Sequence, residues 1–191
     1  VGSEMCIRDR PRTGFGSSGG SLTTNFAVDF LWEKQRNYSS DHNLWDAVRG
    51  RPLYLSSNTT NGDRQGTWLT SFNSNGVTFG SNDYDSGTNL VDWMWKANGS
   101  GSSNTNGSIN STVSANVDAG FSIVSYTGAS GAKTVGHGLS KAPEMIIVKD
   151  RSSAQEWLVY HAKNTAAPET DYLRLDTTGA TADNTFWNDT A

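Results

Sequence analysis

The sequence predicts an all-β protein of tandem β-sandwich units, jelly-roll or lectin-like in style, each incomplete within the 191 residues. Three observations point there. Apolar residues are 35% of the chain and charged residues 18%; Gly, Ser, Thr and Asn fill the balance, as in proteins of many short strands joined by polar turns. Apolar and aromatic residues recur with period two, most plainly in Leu90–Trp95. There Leu90, Asp92 and Met94 share one face, and Val91, Trp93 and Trp95 the other. Finally, residues 135–153, VGHGLSKAPEMIIVKDRSS, repeat the layout of residues 22–40, LTTNFAVDFLWEKQRNYSS. Phe30, Leu31 and Trp32 correspond to Met145, Ile146 and Ile147, and Lys34/Arg36 to Lys149/Arg151, 115 positions later. A unit of that size is too long for a solenoid repeat and suits a sandwich domain.

Taken in order, residues 1–10, VGSEMCIRDR, are expected to be foreign to the protein. Met5–Arg10 resemble the translated end of a transposon-based sequencing adaptor, as in an assembled environmental read, so the protein's own start is expected elsewhere. Cys6 falls inside that segment and is the only cysteine, which leaves the rest without disulfide or thiolate chemistry. Residues 11–21 read as a Gly/Ser-rich remnant. Residues 22–97 form a first sandwich unit, clipped at its N-terminus: a strand within 22–37, a strand or short turn from 41, a strand at Leu53–Ser57, and a loop over 58–66 marked by Asn61-Gly62. A hairpin over 67–80 follows, with Asn75-Gly76 as its turn and Phe72, Val77 and Phe79 facing inward, then a loop at 81–89 and the alternating strand after it. Residues 98–108 carry only polar and small residues and read as a linker. Residues 109–191 form a second unit, truncated at its C-terminus: alternation from Ile109 to Val117, a strand in GFSIVSYTG, a Gly-rich loop over 128–138, then strands at 145–148, 156–161 and 171–178 and a partial strand in NTFWND.

Net charge is −4 and no basic run occurs, so the electrostatic footprint of a nucleic-acid binder is missing. No apolar run approaches the ~20 residues of a membrane helix. No nucleophile elbow, zinc-protease helix or phosphate loop is present, so no enzyme and no cofactor is expected. The candidate ligand-binding residues are Trp45 and Trp68, the two of seven tryptophans that adjoin loops and so have the best prospect of a free ring face for a sugar. Asp83 and Asp85, before Gly87, resemble the start of a calcium loop but lack its later ligands. His137, between glycines, reads as a turn histidine bonded to backbone rather than a metal ligand. Lys34/Arg36 and Lys149/Arg151 read as strand-face cations paired with carboxylates such as Asp29, Asp46 or Asp150.

The segments LSSNTTN (55–61), LTSFNSNGVTFGS (69–81), DWMWKA (92–97), STVSANVDAGFSIVSYTG (111–128), VGHGLSKAPEMIIVKDRSS (135–153) and WNDTA (187–191) resemble a repeated, uncharacterised domain of marine bacteriophage virion and tail-fibre-like proteins. Glu33 departs from that pattern by replacing an apolar residue. The resemblance implies a virion structural or host-adhesion segment, located on the phage particle. Its partners would be other virion or tail proteins, a host-surface glycan or protein, and its own copies in a homotrimer. The alternatives are a bacterial secreted carbohydrate-binding or adhesin module at the cell surface, and the non-catalytic part of a glycan depolymerase.

Overall fold

The computed structural model describes residues 7–187. Among these the regular elements are antiparallel strands and three single-turn 3-10 segments. Cys6 and residues 188–191 of the WNDTA segment lie outside the described residues.

A six-stranded sheet has the order β1-β9-β3-β4-β5-β6, formed by Ile7–Thr13, Asn89–Trp95, Phe30–Gln35, His42–Asp46, Leu53–Ser56 and Arg64–Gln65. A three-stranded sheet, β2-β8-β7, is formed by Gly20–Thr23, Gly76–Phe79 and Leu69–Asn73. Period-two alternation does the sorting. In β3, Leu31, Glu33 and Gln35 are buried while Phe30, Trp32 and Lys34 are half-buried; in β9, Leu90, Asp92 and Met94 are buried. Leu31, Trp45, Tyr54 and Met94 of the large sheet pack with Leu22, Leu69, Val77 and Phe79 of the small one in a single core, so the two sheets form two layers.

The large sheet's other face is also covered. Phe30, Trp32, Leu44 and Leu55 pack against Trp157 and Leu175 from the C-terminal half. Phe121 adds edge contact to Phe30 and stacks on Trp95. That half contributes a sheet β10-β11-β12, formed by Ser102–Asn104, Ser111–Asn116 and Phe121–Tyr126. It also contributes a sheet β13-β14-β15-β16, formed by Met145–Val148, Leu158–His161, Asp171–Arg174 and Ala182–Asp183.

The β13–β14 hairpin repeats the register of β3–β4. Met145 faces His161 as Phe30 faces Asp46, each partner 115 positions on. Lys34, near the end of β3, and Lys149, just after β13, close the same turn. Lys34 Nζ donates to the carbonyls of Gln35 and Tyr38 at 2.5 and 3.3 Å, and Lys149 Nζ to those of Asp150 and Ser153 at 2.6 and 3.3 Å.

Several expected boundaries move. The strand expected within 22–37 is two strands in different sheets, separated by Thr24–Asp29. The expected remnant is structural: Pro11–Thr13 belong to β1, and Gly20 and Ser21 open β2. Ile7–Arg10, at the end of the segment expected to be foreign, extend β1 along β9. Their pairing rests on backbone groups, which most residue types supply, and their side chains are largely exposed. Pro11 is tolerated because β1 is an edge strand. The expected linker contains β10, paired with β11; polar composition suits an exposed edge strand as well as a spacer. In NTFWND, where a partial strand was expected, the described residues hold a 3-10 turn at Thr185–Trp187. The 67–80 hairpin forms as expected, with Gly76 opening β8. Gly76 has φ 144°, and a Cβ there would stand 1.8 Å from the Leu22 carbonyl oxygen, so β2 runs too close for any side chain.

Candidate functional site

Trp45 is not a surface platform, and for it that expectation is corrected. Trp45 is fully buried on β4, its ring 4.9 Å from that of Tyr54 and 5.0 Å from that of Trp68. Trp68 is partly buried against the same core and points its indole N–H at Glu33 Oε1, 3.2 Å away. Trp45 offers no free face to a sugar. Both adjoin loops in sequence, but the loops lead into strands whose inner face the second layer covers.

The calcium reading of Asp83 and Asp85 is corrected on the same ground. The side chain of Asp83 is sealed from solvent, accepts from the Phe15 backbone N–H at 2.8 Å, and pairs with Arg12 at 2.8 Å. Asp85 is exposed and shares none of these bonds; its carbonyl accepts from the Thr88 N–H. Among the described residues no group of three or more His, Cys, Asp or Glu could hold a metal ion.

What Asp83 joins is the most unusual constellation in the molecule. The Arg12 guanidinium, 5% exposed, reaches three buried carboxylates: Glu33 at 2.7 Å, Asp92 at 2.7 Å and Asp83 at 2.8 Å. It also lies over the rings of Phe79 and Phe15, 4.2 and 5.1 Å from their centroids. β1 delivers Arg12 from the sheet edge, and β3 and β9 set Glu33 directly opposite Asp92. Directly opposed like charges destabilise a strand pair. Arg12 offsets this by pairing with both. Burial first, then the Asp92 charge, pushes Glu33 up to about 8, and burial pushes Asp92 up to about 6. Facing each other across the strand pair, the two carboxyls titrate together rather than singly. Tyr84, whose hydroxyl accepts from Asn43 Nδ2 at 3.1 Å, is raised by burial and by the Glu33 and Asp83 charges. Packed on all sides, this cluster is a buried polar network that fixes how β1 docks, not a site that meets a ligand.

The sequence did carry a signal for it. Glu33 and Asp92 each occupy an inward position between apolar residues in an alternating strand. Arg12 carried none, because its place opposite them depends on β1 joining β9.

His137 behaves as a turn histidine: its Nδ1 accepts from the Leu139 N–H at 3.1 Å. It lines a shallow recess of about 380 Å³ with Asn106, Gly107 and Leu139. A second shallow recess, also about 380 Å³, is lined by hydroxyl and amide side chains, including Asn110, Thr112 and Ser125, with Tyr126 and Arg151 at its border. The repeated cations take partners other than those expected. Arg151 pairs with Asp63 at 2.8 Å and donates to Ser125 Oγ at 2.9 Å, while Lys34 and Lys149 bond carbonyls. Asp63 also pairs with Arg49 at 3.2 Å, so one carboxylate of the 58–66 loop bridges the N-terminal half to the turn after β13. Trp157 reinforces that junction, its buried indole N–H donating to the carbonyls of Ser56 and Thr59 at 3.1 and 3.0 Å.

No helix among the described residues is long and apolar enough to cross a membrane. Comparison with curated proteins and with solved structures returned no match. A family model, described as a domain of unknown function (DUF7483), matches residues 7–191, and the chain belongs to that family.

Proposed function

We propose that the chain is a segment of a bacteriophage virion protein of tail-fibre type, built of tandem β-sandwich units. It acts without catalysis, in host-surface adhesion or in spacing the fibre tip. The observation that carries this reading is the junction between the halves. Domains joined by a small polar contact move relative to one another by default. Here Trp157 is buried against Leu44 and Leu55, and Asp63 ties Arg49 to Arg151. Gly62 lies so close to Arg151 that a Cβ would meet its carbonyl oxygen at 2.5 Å. Such a join holds successive units at a fixed angle, as a spacer must. The matching registers of β3–β4 and β13–β14 support a tandem repeat.

For adhesion, the polar recess beside Tyr126 and Arg151 is the best-suited surface. It presents hydroxyl, amide and guanidinium groups next to an exposed aromatic ring, the mixture that holds a glycan. Several weak sites on one fibre would act together, and homotrimerisation would multiply them. A glycan array and a host-cell pull-down with the chain test this. Binding that Tyr126→Ala abolishes supports adhesion, whereas no retention by glycan or cell leaves spacing as the role. Sedimentation analysis reads the trimer. Neighbouring genes separate the alternatives: capsid, terminase or baseplate genes support a virion, and a secretion operon favours a bacterial adhesin or carbohydrate-binding module.

A further inference from the structure

We propose that the polar recess beside Tyr126 selects an anionic saccharide, one carrying a carboxylate or a sulfate ester, with Arg151 as the group that reads the charge. The inference rests on the adhesion reading above and narrows it from glycans in general to acidic ones. The recess is built on the sheet β10-β11-β12. Ser103 stands directly opposite Thr112, and Thr112 directly opposite Ser125, so their hydroxyls form one row across the sheet. Neighbouring strands lie about 4.8 Å apart, so the row spans roughly 10 Å, the length of about two sugar rings. Ser103 is exposed, and Thr112 and Ser125 are half-buried, so the row meets solvent.

Arg151 closes one end of the row, donating from Nη1 to Ser125 Oγ at 2.9 Å. Asp63 Oδ2 lies 2.8 Å from both Nε and Nη2 of the same guanidinium. Each terminal nitrogen carries a pair of N–H groups, so each keeps one for a ligand. The arginine is held in place from its backbone outward. The Asp63 N–H donates to the Arg151 carbonyl at 2.7 Å, and Asp63 is itself anchored by Arg49. Donors fixed before binding lose little entropy on meeting an anion, and a guanidinium fork suits the paired oxygens of a carboxylate or a sulfate.

The charges are arranged to leave the cation outermost. Asp46, Arg49, Asp63 and Arg151 form an alternating chain whose side chains are 6%, 5%, 16% and 39% exposed in that order. The chain thus ends in a positive group at the recess, and among the described residues none that lines the recess is acidic. Hydroxyls and amides alone suit any sugar. A guanidinium facing a recess without a carboxylate favours a sugar that is negatively charged.

The test is a glycan array probed with the intact chain, on which uronate and sulfated oligosaccharides each stand beside the carboxyl-reduced or desulfated form of the same sugar. The chain is expected to retain acidic members and to bind their neutral forms at least about tenfold more weakly. Retention of the uronates alone or of the sulfated sugars alone supports the proposal and names the anion. Titration calorimetry with a retained oligosaccharide should show affinity falling as salt rises from about 50 to 500 mM. Arg151→Gln should abolish the preference for the acidic form. Arg151 also holds the junction, so Thr112→Val is the second variant: it removes the central hydroxyl on a strand that suits valine, and should weaken binding severalfold with urea unfolding unchanged. Arg36→Gln makes the same charge change at an exposed position and should leave binding unaltered. Equal binding of acidic and neutral forms would overturn the proposal and leave the adhesion reading standing, whereas retention of no member would overturn both. Undiminished binding of the acidic form by Thr112→Val, or by Arg151→Gln, would also overturn it.

Discussion

Replacing Arg12 by Met removes the one cation that reaches Glu33, Asp83 and Asp92 and leaves a side chain of comparable length against Phe79. Breaking a buried ion pair by deleting one partner costs about 3–5 kcal/mol, because the other charge is left uncompensated. Three carboxylates depend on this guanidinium, so the loss should reach the upper part of that range when they are ionised. The pH dependence follows from the carboxyls. Glu33 binds its proton more tightly folded, near 8, than at its ordinary value of 4.5, so the folded form holds more protons between those values. Stability therefore falls as pH rises from about 4.5 through 8, and at ~1.36 kcal/mol per pH unit the fall attributable to Glu33 is at most roughly 5 kcal/mol. Without Arg12 the carboxyls are raised further and the fall is steeper. Urea unfolding at pH 5 and pH 8, followed by tryptophan fluorescence, should show Arg12→Met costing about 3–5 kcal/mol at pH 8 and clearly less at pH 5. Glu33→Gln in the natural background should flatten the slope between the two. Combining Arg12→Met with Glu33→Gln, Asp83→Asn and Asp92→Asn should recover at least half of the loss. A cost below about 1 kcal/mol at pH 8, or an equal cost at both pH values, would refute the argument, since that is the range of an exposed pair.

Other outcomes follow from packing. Trp45→Ala should destabilise the N-terminal half by about 3–5 kcal/mol, measured by urea unfolding; a stable variant altered only in ligand binding would return Trp45 to the surface. Trp157→Ala should leave the N-terminal core intact but speed hydrogen exchange at the junction, in 53–63 and 151–158, through loss of its ring and its two hydrogen bonds. Unchanged exchange there would mean that the halves do not depend on it. Gly76→Ala should separate β2 from β8 and cost more than ~1 kcal/mol, read by unfolding and by amide protection in 20–23, because no rotation of a Cβ clears the Leu22 carbonyl.

The sequence by itself determined the all-β class and, in its alternating segments, which residues share a face. Period two in Leu90–Trp95, Asn-Gly before Val77 and Phe79, and the 115-position recurrence of Lys and Arg are local or nearly local patterns, and local backbone geometry imposes them. It also placed Asp92 on one face with Leu90 and Met94. Only the tertiary structure decided which faces are covered, and by what. Alternation says that Trp45 and Trp68 have a side, not that a second sheet seals it; a polar stretch such as 98–108 pairs as an edge strand once β11 lies beside it. Arg12 became a core residue because β1 docks on β9, a contact across 80 positions of chain. Such contacts leave no periodic trace, since their energy comes from charges and surfaces brought together only when the layers close.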